Sequence, residues 1–93
     1  MQIIFIILVL QCSFVSGDGT GGTETKIGSQ KGSACIKACI ELKKTDSSIN
    51  GVTVIADNRP GCWCEKSMTG VSPSGTYKTC FLKAGKCTMM LSH

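Results

Sequence analysis

Two stretches decide how this chain folds: Ser33-Ala34-Cys35-Ile36-Lys37-Ala38-Cys39-Ile40-Glu41-Leu42-Lys43-Lys44, and Cys62-Trp63-Cys64. The first reads as a short helix, with Ser33 as its N-cap and Lys43 and Lys44 at the negative end of the dipole. Cys35, Cys39 and Leu42 recur at i, i+4 and i+7, so they share one face, with Ile36 and Ile40 beside them. The second reads as a strand, with both sulfurs on one side and the indole on the other. Residues four apart on a helix are separated by ~6 Å along its axis. Residues two apart on a strand are separated by ~6.5–7 Å. The helix pair and the strand pair can therefore be bridged side by side, clamping helix to sheet.

Around this clamp the pattern predicts a small disulfide-rich α+β fold, one short helix stapled to a three- or four-stranded antiparallel sheet. Asn50-Gly51 is a turn pair. Val52 to Ile55 is a β-branched strand candidate. Asp57-Asn58-Arg59-Pro60-Gly61 breaks the chain, and Thr69 to Thr76 forms a second Gly/Ser/Pro loop. Tyr77 to Leu82 reads as a third strand. Lys83 to Lys86 reads as a turn and Cys87 to Leu91 as a fourth strand.

Upstream, Ile3 to Leu10 is an unbroken apolar run, followed by Val15-Ser16-Gly17. The run is short of the ~20 apolar residues a membrane span needs, and it suits a signal peptide cut after Gly17. Asp18 to Gly32 is rich in Gly, Thr and Ser with Ile27 as its single aliphatic residue. It is expected to be a flexible arm. Three parts result: a leader over 1–17, the arm over 18–32 and a cysteine-rich domain over 33–93.

Loss of the leader takes Cys12 with it, and the seven cysteines become six: Cys35, Cys39, Cys62, Cys64, Cys80 and Cys87. An even count in a short chain bound for an oxidising compartment indicates a disulfide framework. Bridges at ~2–4 kcal/mol each supply stability that so small a core does not. Four thiolates from Cys35, Cys39, Cys62 and Cys64 are the rival arrangement, a zinc site, which secretion argues against. No metal or other cofactor is expected.

The net charge of +4 favours anionic partners. No basic run exceeds Lys43-Lys44, so a nucleic-acid stripe is not supported. The chain carries no phosphate-binding glycine loop ahead of a helix and no Asn-x-Ser/Thr acceptor. The only histidine is the terminal His93, around which no nucleophilic triad assembles. Asp57 and Glu65 are the two acids nearest each other in the domain, both beside turns. The expectation is a protein that is not an enzyme.

The helix pair and the Cys-x-Cys resemble the cysteine-stabilised αβ motif of defensins and scorpion toxins. That motif carries a further cysteine before the helix, whereas here Cys80 and Cys87 follow the Cys-x-Cys. From Cys35 to Leu82 the chain also resembles a cysteine module of secreted marine-invertebrate proteins, and more loosely the apple (PAN) domain. The matching pieces are Asn50-Gly51-Val52-Thr53, Cys62-Trp63-Cys64-Glu65, Met68-Thr69-Gly70-Val71 and Tyr77-Lys78-Thr79-Cys80-Phe81. Cys39 stands where that module has an apolar residue, and Cys64 where it has Ala. Against that module, two extra cysteines imply a Cys39–Cys64 bridge. Geometry then pairs Cys35 with Cys62 and Cys80 with Cys87, while the module leaves open Cys35–Cys80 with Cys62–Cys87.

Binding is expected on the face opposite the sulfurs. Trp63 is the anchor candidate, with Tyr77 and Phe81 sharing a face and Arg59, Lys66, Lys78, Lys83 and Lys86 as a basic rim. The partner-binding candidates are Trp63, Tyr77, Arg59, Lys66 and Lys78. The reading is a secreted, extracellular, toxin- or defence-type binder of a channel, receptor or microbial surface, not membrane-spanning once the leader is lost. The alternative is an adhesive or matrix module binding glycan or protein.

Overall fold

The computed structural model describes the backbone of residues 2–92 and the side chains of residues 10–84. His93 and the side chains of Lys86 and Cys87 lie outside the described residues.

Helix α1 spans Gly32–Lys43 and buries Cys35 and Cys39. Its N-cap is Lys31, in extended conformation and without a side-chain cap. Ser33 falls inside the first turn rather than at the cap. At the other end Lys43 Nζ donates to the Ile49 carbonyl at 2.6 Å, tying the helix end to the next strand.

The strands are β1 (Gln2–Gln11), β2 (Val15–Ser16), β3 (Asp18–Thr20), β4 (Thr23–Gly28), β5 (Ile49–Ile55), β6 (Cys62–Lys66), β7 (Gly70–Ser72), β8 (Tyr77–Phe81) and β9 (Lys83–Ser92). Five of them form an antiparallel sheet in the order β2-β8-β5-β6-β4. The central three are the strands expected from the β-branched run, the Cys-x-Cys and the Tyr77 segment. The outer two come from the segments expected to be a cleaved leader and a flexible arm. The Gly/Thr/Ser-rich stretch is no free arm here, because β4 pairs with β6 from Thr23 opposite Lys66 to Gly28 opposite Cys62. Strand pairing uses backbone groups, which a stretch with a single aliphatic side chain still offers, and β6 has an open row of them on that side.

The Lys83–Lys86 segment is strand rather than turn: β9 pairs with β1 along its length, with Ile7 opposite Cys87. Asn50 is likewise not a turn residue. It sits in β5 at an irregularity of register, and its amide makes two 2.8 Å bonds to the backbone of Met68, one to its N–H and one to its carbonyl. The side chain replaces ladder partners that the bulge takes away.

The core lies between α1 and one sheet face. Cys35, Cys39, Ile49, Val52, Cys62 and Cys64 are fully buried there, with Val54, Cys80 and Leu82 around them and Cys12, Phe14 and Ile27 packed against the cluster. Two bridges cross this interface, Cys35–Cys62 and Cys39–Cys64, each with 5.5 Å between Cα atoms. Helical and strand spacing match, so both close without displacing backbone. The third bridge departs from expectation. Cys80 pairs with Cys12, not with Cys87 or Cys35. β2 runs beside β8, Val15 opposite Thr79, and this brings Cys12 within 5.1 Å of Cys80 between Cα atoms.

The opposite sheet face is partly covered by the two-stranded β3–β7 ribbon, Gly19 opposite Val71. Among the described residues no helix is long and apolar enough to cross a membrane.

Candidate functional site

Alternation along β6 places Trp63 and Glu65 on the face away from the cystines. Each belongs to a separate cluster of side chains. The four cysteines weighed as zinc ligands are covalently paired, so they offer no thiolates.

The first cluster is aromatic and cationic. Trp63 and Tyr77 meet edge to face, with centroids 5.6 Å apart and planes at 87°. Lys26 on β4, directly across from Trp63 in the ladder, holds its Nζ 5.4 Å from the ring centroid. Below the ring lies Gly61, where any Cβ would stand 2.8 Å from Cη2 and Cζ3. The indole is thus supported on its inner side and half-exposed on the other. Arg59 is exposed and bonds Asp57 at 2.8 Å. Asp57 raises the guanidinium pKa above its ordinary value, and Tyr77 is close enough to act in the same sense.

The expected basic rim does not assemble around this pair. Lys78 alternates with Tyr77 and Thr79, so it projects from the other face, where its Nζ sits 5.5 Å from the Phe14 ring centroid. Lys66 alternates with Glu65 and is held by Asp46 at 2.9 Å. A hydrogen bond from Ser48, and then Lys66, lower the Asp46 pKa to about 2. Lys83 lies over Phe81 instead, 5.9 Å from that centroid. The strand period separates Lys66 and Lys78 from Trp63 and Tyr77, a consequence that residue type alone did not reveal. Lys26 was missed because it belongs to the presumed arm; only its ladder register brings it to Trp63.

Beside β8 a cleft of about 390 Å³ is lined in part by Val15, Val71, Thr79, Phe81 and Lys83. Val15 is 53% exposed there, the one exposed large apolar side chain among the described residues.

The second cluster is acidic, with Glu65 buried, Asp18 half-buried and Glu24 exposed. Glu65 is only 3% exposed, and its carboxyl, those of Asp18 on β3 and of Glu24 on β4 lie within 4.8 Å of one another. Glu65 is not near a solvent-facing turn, nor is Asp57 its neighbour. The ribbon strand β3 closes over it so tightly that a Cβ at Gly19 would come within 2.5 Å of Glu65 Oε1. Burial first, then a hydrogen bond with Glu24 and the charges of Glu24 and Asp18, push the Glu65 pKa up to about 7, against a lowering by the Thr53 hydroxyl. Thr53 Oγ1 stands 2.9 Å from Glu65 Oε2 and 2.7 Å from Thr79 Oγ1, and Thr79 Oγ1 stands 2.9 Å from the Gly17 carbonyl oxygen.

No protein-family model, curated protein or solved structure matches the chain.

Proposed function

We propose that the protein is a secreted, non-enzymatic binder of a toxin or defence type, and that it engages an anionic extracellular target through the Lys26–Trp63–Tyr77 face. The observation that carries this reading is the half-exposed indole under a lysine ammonium, edged by a tyrosine. A rigid aromatic pair supplies contact area at low entropic cost, and flanking cations draw in negatively charged surfaces. The cystine-clamped core lies on the other face of the sheet. The targets that fit are an acidic patch on a channel or receptor, or an anionic microbial surface.

Wild type and Trp63→Ala, both with verified disulfides, are to be compared for binding to bacterial surfaces, channel-bearing animal cells and a glycan array. Cell or microbial binding that disappears in Trp63→Ala supports the proposal. Equal binding by the two proteins removes the aromatic face from consideration. Retention confined to acidic glycans and abolished by salt would favour the matrix-module alternative.

A further inference from the structure

The contacts running from Glu65 to Gly17 do not balance unless Glu65 brings a proton. Three oxygen–oxygen contacts stand in series: Glu65 Oε2 to Thr53 Oγ1, Thr53 Oγ1 to Thr79 Oγ1, and Thr79 Oγ1 to the Gly17 carbonyl. Each is 2.7–2.9 Å long, and each needs one proton between its oxygens. Each threonine hydroxyl carries one proton, and the Gly17 carbonyl carries none. Thr79 must donate to Gly17, since nothing else in that contact can. With an ionised Glu65, Thr53 has a single proton for two acceptors, and one contact becomes two lone pairs facing each other. With a neutral carboxyl whose proton is turned to Thr53 and not to the neighbouring Glu24, the series closes: Glu65 donates to Thr53, Thr53 to Thr79, and Thr79 to Gly17.

We propose that Glu65 is a proton-operated latch for the N-terminal segment, holding residues 17–20 against the sheet when protonated and loosening them when it ionises. Gly17 is the pivot. Its N–H donates to the Tyr77 carbonyl at 2.8 Å, and its carbonyl is the last acceptor of the hydroxyl series. From there β3 passes directly over Glu65.

The groups around the carboxyl favour its neutral form. β3 contributes Asp18 and β4 contributes Glu24, both acidic. Lys26 on β4 is engaged with the Trp63 ring, and β8 offers the Tyr77 phenol against that same ring. Lys66 and Lys78 project from the other face. β5 and β7 carry no charged residue, and the nearby Met68 is uncharged. Among the described residues, the ion pairs formed are Lys44–Glu41, Arg59–Asp57 and Lys66–Asp46, so no base neutralises the trio. The device is independent of the binding face proposed above, and it belongs to the form of the chain that keeps Gly17.

The test uses the full oxidised chain with carboxyl-labelled glutamate, followed by NMR from pH 4 to 9. The Glu65 carboxyl is expected to titrate near neutrality. Over the same range the protection of the Gly17 amide against hydrogen exchange should fall on the order of tenfold, as for loss of one hydrogen bond. Glu65→Gln retains a donor that does not titrate, so its Gly17 protection should stay constant. Thr79→Val removes the proton deficit, and the Glu65 midpoint should move down. A Glu65 midpoint in the ordinary carboxylate range in wild type overturns the latch. So does a pH response at Gly17 that persists unchanged in Glu65→Gln.

Discussion

Lys26 holds its ammonium over the Trp63 ring although 37 positions separate them in the chain, because they are ladder partners on β4 and β6. The contact adds to Ile27 a second tie between β4 and the sheet. Removing the amine in Lys26→Ala should weaken binding to an anionic target several-fold, because it takes a cation from the aromatic face. Binding curves at low and high salt check it: the variant should also show a shallower salt dependence.

The pH profile of stability should be shaped by two carboxylates of opposite tendency. Glu65 has a folded pKa raised to about 7, so the native state keeps a proton that the unfolded chain loses above its ordinary value of 4.5. Its favourable contribution is complete below that value and is lost as pH rises through 7. Asp46 is depressed to about 2 from 3.8, so its contribution is present above 3.8 and lost as pH falls through 2. Thermal melts from pH 2 to 8 should peak between pH 4 and 5. In Glu65→Gln the decline on the alkaline side should disappear.

Each of the helix-to-sheet bridges should carry a separable share of stability. The Cys39–Cys64 bridge spans 25 residues in sequence, and its joint replacement by Ala should cost about 3 kcal/mol. Denaturant unfolding measures this, with the Cys35–Cys62 bridge left intact in the same protein.

Asn50→Ala should destabilise by roughly 1–3 kcal/mol, since it strips two bonds from the Met68 backbone at a bulge. Asn50→Asp is the sharper variant. It keeps the acceptor for the Met68 N–H but faces the Met68 carbonyl without a donor, so its loss should persist at neutral pH and shrink in acid. Urea midpoints at two pH values decide between these outcomes.

Non-reducing peptide mapping should yield a fragment joining Cys12 to Cys80 in any product that retains both. A secreted product beginning at Asp18 would lack Cys12, β2 and the Gly17 carbonyl, and Cys80 would then need Cys87 as its partner. N-terminal analysis of the same sample shows which of the two forms leaves the cell.

The sequence by itself determined the clamp. Cys35 and Cys39 on one helical face, and Cys62 and Cys64 on one strand face, are statements about local period. A period of 3.6 or 2 is set by backbone sterics, whatever the rest of the chain does. The same rule placed Trp63 opposite the sulfurs and Tyr77 on one face with Phe81. Tertiary structure decided what lies beside what across long distances. That Cys12 meets Cys80, that Lys26 covers Trp63, and that Asp18 and Glu24 come together at the buried Glu65 all depend on strand order and register. Register is fixed by the sum of backbone pairing and burial across the sheet, which no single stretch encodes. The β3 and β4 strands were illegible for that reason: their side chains carry little apolar signal, and only the open edge of a neighbouring strand gives them a place.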